Sequence, residues 1–169
     1  MQISRRHLLA LSAGSAAAGA IGAGGLAISW WDQPADKPYR SLSSDEGAFV
    51  RAWAGVAFPA TPLSPIAGDE AQLDRFFDEM LLVMPADTAK LLRVLLHSLN
   101  TLPLATRWGR FTDLEPNTQK RLFEEWTHSD VSLFRSATQS LVLLLGMGWS
   151  THPSVAPTMQ KLHSCGYGR

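Results

Sequence analysis

The chain has 169 residues, 15 basic and 15 acidic side chains, no formal net charge and a single cysteine. That length fits one domain with one core, and the even charge, without any run of like sign, excludes recruitment of nucleic acid by bulk charge. One cysteine is too few for an iron–sulfur cluster or for covalent haem attachment.

In chain order the first feature is Ser4-Arg5-Arg6-His7-Leu8-Leu9, two adjacent arginines leading into a stretch that carries no acidic or basic residue until Asp32. A basic start followed by an uncharged apolar region is an export signal, and the arginine pair points to the twin-arginine route, which moves folded proteins. The run from His7 to Trp31 is also long enough to cross a bilayer, which takes about 20 residues. Seven glycines or serines between Ser12 and Gly25 argue against a sturdy span, although Trp30 and Trp31 suit an interfacial belt. The residues directly before Asp32, Ser29-Trp30-Trp31, form no small-x-small cleavage site, so retention as an uncleaved anchor is the alternative to removal. Residues 1–35 are set apart as the signal, and 36–169 form the domain. Without Arg5 and Arg6 the charge balance is 13 basic to 15 acidic.

After a proline-containing linker, Ser43-Ser44-Asp45-Glu46 reads as a capping box that opens a first helix. Phe49, Ala52, Trp53 and Val56 recur at helical spacing until Pro59, and the proline-rich segment 60–68 is a loop. From Asp69 a second helix sets Leu73, Phe76, Phe77, Met80 and Leu81 toward a core and Asp74, Arg75, Asp78 and Glu79 toward solvent. Pro85 opens a third helix whose Leu91, Leu92, Leu95, Leu99 and Leu102 cover much of its surface, which predicts a central position. Residues 104–113 have no period and read as an irregular connection. Pro116 admits a fourth helix that buries Leu122, Phe123 and Trp126. Ser129 caps a fifth, with Leu133, Phe134, Ala137, Leu141, Leu144, Leu145 and Gly148 every three or four positions. Its Leu141 to Leu145 turn is apolar on every side and needs cover on every side. No stretch alternates as a strand does, so the expected fold is all-α, a single small domain of about five helices.

The chemistry-bearing residues do not converge. Gly146-Met147-Gly148 lacks the third glycine of a dinucleotide fingerprint, and Gly148-Trp149-Ser150-Thr151 lacks the second glycine of a nucleophile elbow. His97 reads as a satisfied or half-exposed side chain of the leucine-rich helix, and His128 as a favourable charge at a helix C-terminus. Asp78 with Glu79 and Glu124 with Glu125 read as solvated helix faces. His152, His163 and Cys165 are near one another in sequence, at spacings that fit no familiar zinc pattern. Cys165 is either a free thiol or, as an odd cysteine in an exported chain, a partner for another subunit. No residue is assigned a catalytic, cofactor-binding or metal-binding role. Trp53, Trp108, Trp149, the Leu141 to Leu145 turn, Cys165 and Tyr167 are the candidate contacts with a partner protein.

The order of landmarks carries a resemblance. Phe58-Pro59 closes the first helix, the Leu73 to Phe77 helix follows a proline-rich loop, Phe111-x-x-Leu114 leads to Trp126-x-x-Ser129, and His152-Pro153 and Gly166-Tyr167 complete the series. With the twin-arginine signal, this resembles the small or gamma subunit, subunit 3, of gluconate 2-dehydrogenase complexes over nearly the whole chain after the linker. It departs from that pattern before His152, where aromatic residues are usual and Gly148-Trp149-Ser150-Thr151 stands. The resemblance implies a non-catalytic subunit in the periplasm, associated with the inner membrane. The implied partners are a large flavin-containing oxidoreductase of the glucose-methanol-choline type, a multihaem cytochrome c and the twin-arginine translocase. It implies FAD in the large subunit, haem c in a further one, and no cofactor in this chain. The competing readings are a small exported metal protein or enzyme using the His152, His163 and Cys165 region, and a membrane-anchored structural protein.

Overall fold

The first helix, α1 (Ser44–Ala57), is the element on which the others assemble. The structure is a computed structural model and describes residues 33–162 except Leu63. The described residues from Pro34 onward belong to one compact unit. The export motif Ser4, Arg5, Arg6, Leu8 and Leu9 lies outside the described residues, as do His163, Cys165 and Tyr167.

The capping box forms as the sequence predicts. Ser43 Oγ accepts from Glu46 N at 3.3 Å, and Glu46 Oε2 accepts from Ser43 N at 2.7 Å, so two helix-end donors are satisfied reciprocally. Along α1, Phe49, Val50, Trp53 and Ala54 are fully buried. They meet α2 (Leu73–Val83), α3 (Ala86–Thr101), α5 (Pro116–Thr127) and α6 (Ser132–Thr151), while a single-turn α4 (Leu104–Arg107) and a short α7 (Ala156–Leu162) complete the order. The fold is all-α, and no strand occurs among the described residues.

Trp53 is the hub of an aromatic core. Its ring centroid lies 5.5 Å from Phe49, 5.3 Å from both Phe111 and Phe123, and 6.0 Å from Trp126. Tilted and edge-on contacts of this kind add to the gain from buried area. Phe111 enters the core from a 3-10 turn, Phe111–Asp113, inside the segment expected to be irregular. Asn100 Oδ1 accepts from Thr112 N at 3.2 Å and Gln119 Nε2 donates to the Phe111 carbonyl at 2.9 Å, so buried amides of α3 and α5 hold that turn.

Several expectations are corrected. Helix α2 begins at Leu73 rather than Asp69, because Gln72 takes a left-handed backbone (φ 52°) that interrupts helical continuity. Helix α6 begins at Ser132 and is not capped by Ser129, whose Oγ accepts from Val131 N at 3.1 Å and closes a turn ahead of the helix. The central helix is α1, not the leucine-rich α3. On α3 the buried side chains are Arg93, Leu96, His97, Leu99 and Asn100, while Leu91 is 67% exposed. Asp74 and Asp78, expected in solvent, are buried.

Helices α2 and α6 cross at Gly148, where an added Cβ would lie 2.5 Å from Cδ1 of Phe76. A side chain there would push the helices apart. Helices α5 and α6 meet at a bend of 115°, and among the described residues no single helix is long and apolar enough to cross a membrane.

Candidate functional site

Two ion clusters are built on buried carboxylates. Glu46 sits on the apolar side of α1, three, four and seven residues before Phe49, Val50 and Trp53, and its carboxylate is surrounded. Arg93 Nε donates to Oε1 and Nη2 to Oε2, each at 2.8 Å, while His97 Nε2 lies 3.1 Å from Oε1 and Ser43 N donates to Oε2. Burial works to raise the Glu46 pKa, but the bonds from His97, Arg93 and Ser43 outweigh it and hold the group at about 2. Every carboxylate oxygen is occupied, so this cluster ties α1 to α3.

The second cluster fastens the linker. Asp78 accepts from Arg40 N at 2.9 Å, Ser41 N at 2.7 Å and Leu42 N at 2.8 Å. Asp74 Oδ2 accepts from Tyr39 Oη and from Arg51 Nη2, both at 2.6 Å. Burial and then the hydrogen bond to Asp74 push the Tyr39 phenol up to about 12. Burial would raise the Asp74 pKa, yet the bonds from Tyr39 and Arg51 bring it below the ordinary carboxylate value. Both clusters are anchors within the fold, with their charges directed at one another.

The feature left without an internal explanation is apolar. Between α3 and α6 runs a groove of about 300 Å³, walled by Leu91, Leu95, Leu99 and Leu102 on one side and by Leu133, Phe134 and Ala137 on the other. Leu91 and Leu133 are 67% and 72% exposed. A second cavity of about 380 Å³ shares Leu102 and Phe134 with the first and extends the surface past Ala105 to an Arg107–Glu125 ion pair of 3.4 Å. Leu91 lies on the side of α3 away from Arg93, His97 and Asn100, so once the Glu46 anchor turns the polar face inward Leu91 faces solvent, while Leu95 and Leu102 are half-buried and Leu96 and Leu99 stay in the core. Contiguous apolar surface of this sort marks sites of interaction more often than it marks a free-standing domain.

The candidate partner contacts separate sharply. Trp108 is 95% exposed, at the left-handed C-cap of α4. Trp53, Leu141 and Leu145 are fully buried and are removed from the candidate surface, because α1 and α6 turn them into the core. Trp149 is half-buried and stacks on Phe58 with centroids 5.1 Å apart. The Leu141 to Leu145 turn is covered on part of its circumference by its own domain, but Leu143 is 70% exposed and Met147, beyond it, 57%. The sequence does not reveal the groove: the leucines of α3 read as core, which holds for Leu99 and in part for Leu92, Leu95 and Leu102, but not for Leu91.

Of the histidines, His97 is the buried Glu46 partner, and His128 Nδ1 donates to the Glu124 carbonyl at 3.0 Å at the end of α5. His152 Nδ1 accepts from Ser154 N at 3.2 Å. Among the described residues no three His, Cys, Asp or Glu side chains are placed to hold a metal ion. Glu124 and Glu125 are exposed, as expected. Comparison with protein-family models, with curated proteins and with solved structures gives no match.

Proposed function

We propose that this chain is an accessory subunit without catalytic residues, which binds a large flavin-containing oxidoreductase through the α3–α6 groove and supplies the twin-arginine signal for export of the pair to the periplasm. The observation that carries the reading is the groove, whose rim leaves Leu91 and Leu133 in solvent over an apolar floor. The signal motif supports it from the sequence side, since a route for folded cargo suits a chain that travels with a folded partner. The landmarks that resemble the small subunit of gluconate 2-dehydrogenase complexes suggest a glucose-methanol-choline type partner carrying FAD, with a cytochrome c as a further subunit.

The reading is tested by changing the groove while leaving the core alone. Leu91→Asp and Leu133→Asp place charges on exposed positions that the fold does not need, and each is expected to weaken capture of the flavin-containing subunit by about tenfold or more, the loss of a desolvated apolar contact. Circular dichroism of both variants is expected to match the wild type. Undiminished capture by the doubly substituted chain would remove the groove from the interface.

A further inference from the structure

Trp108 combines three properties that the fold does not require of one another. It is 95% exposed. It holds a left-handed backbone (φ 58°, ψ 22°) although Gly109, which could adopt that conformation without strain, is the next residue. It also lies at the end of the domain where the chain enters from its N-terminal segment. There Asp36 Oδ2 accepts from Ser44 N at 2.9 Å, and Arg110 Nη1 reaches Asp45 Oδ2 at 3.1 Å, so the linker and the Trp108 turn converge on the first residues of α1. Pro34 is two residues from Asp36, and Trp108 two from Arg110, about 7 Å of chain in each case.

From these positions we infer that the Trp108 turn, with Leu104 (48% exposed) beside it, is a lipid-contacting knuckle that rests on the bilayer interface when the uncharged segment from His7 to Trp31 is retained in the membrane. The length of that segment argues for lipid as the occupant. It is 25 residues long, ends in Trp30-Trp31, and is followed within three residues by Pro34, so a retained segment would tether the chain to the bilayer at the point where the domain begins. An indole suits that depth, with an apolar body and a polar N–H. The flanking arginines do not make the contact electrostatic. Arg107 is paired with Glu125, and Arg110 with Asp45 and Asp113. The inference rests on retention of the segment and is independent of whether the groove binds a flavoprotein.

The experiment uses the full chain carrying Trp30→Phe and Trp31→Phe, reconstituted without any partner into phosphatidylcholine vesicles whose acyl chains are brominated near the headgroup. Trp53 and Trp126 are in the core, and the half-buried Trp149, stacked on Phe58, is present in every variant, so the part of the bromine quenching that Trp108→Phe removes reports on Trp108. At least half of the quenching is expected to disappear in Trp108→Phe, which preserves an exposed ring and the fold. Equal quenching with and without Trp108 would overturn the inference. So would quenching that appears only when anionic lipid is added, or protection of Trp108 from aqueous acrylamide only when the large subunit is added, which would make the knuckle a protein contact. Intact mass of the chain extracted from native membranes is expected to include residues 1–32, and a chain lacking them would equally overturn it.

Discussion

At the residue scale, Glu46 performs two tasks with one carboxylate, completing the cap of α1 and neutralising Arg93 beneath the surface. Removing one partner of a buried pair leaves the other charge uncompensated, which typically costs about 3–5 kcal/mol, a large share of the about 5–15 kcal/mol that holds a domain together. Glu46→Gln is therefore expected to lower the urea midpoint strongly, because it removes the charge that both Nε and Nη2 of Arg93 bond. The same residue sets an acid limit. Its folded pKa of about 2 lies below the ordinary 4.5, so the stabilisation is complete above about 4.5 and is lost as the pH falls from there toward 2. Tyr39 sets the alkaline limit by the opposite shift: with its folded pKa raised from 10.0 to about 12, its contribution is complete below 10 and is lost as the pH rises toward 12. Urea titrations across pH are expected to show both limits, and Glu46→Gln to flatten the acid one. Asp78 is a quieter anchor. Asp78→Ala would leave the N–H groups of Arg40, Ser41 and Leu42 without their acceptor, at a cost of about 1–3 kcal/mol, and faster amide exchange at those three residues would locate the damage.

At the element scale, the legible parts of the fold were those where a single local rule decides the outcome. The capping box, the stop at Pro59, the start at Pro116 and the core placement of Phe49, Trp53, Leu122 and Trp126 follow from spacing and cap chemistry alone. The rotation of α3 does not. Its leucines read as a core face, and only the partner at Glu46, 47 residues away from Arg93 in sequence, turns Arg93 and His97 inward and leaves Leu91 outside. A signal for this was present: Glu46 shares the face of Phe49, Val50 and Trp53, and a carboxylate on an apolar face calls for a buried cation. Asp74 and Asp78, one turn apart on α2, likewise find their partners in the linker and in α1, beyond the reach of a helical-wheel argument. The α2–α6 crossing is a matter of steric allowance. Gly148→Ala is expected to destabilise by about 1–3 kcal/mol, the usual cost of overpacking, and the additional substitution Phe76→Leu, which removes the ring from that position, to recover part of the loss in a thermal melt.

At the scale of the whole molecule, the sequence landmarks behind the proposed kinship are mainly structural. Phe111 and Trp126 are core, Phe58 stacks on Trp149, and Leu73 and Phe77 are buried. Such positions constrain a fold and leave a partner unspecified. The proposed partner contact and the proposed lipid contact rest on the surface they leave over, the α3–α6 groove and the Trp108 turn. The groove could not be foreseen from the sequence because a leucine in a wall and a leucine in a core have the same spacing, and only the orientation of α3 separates them. The measurement that tests the central proposal most directly is isolation of the tagged full-length chain from native membrane and periplasmic fractions, followed by absorption spectroscopy and mass spectrometry. A flavin spectrum is predicted, with a large co-purifying subunit that stays in the cytoplasm when Arg5 and Arg6 are both replaced by lysine. A colourless chain recovered alone from both fractions would contradict it.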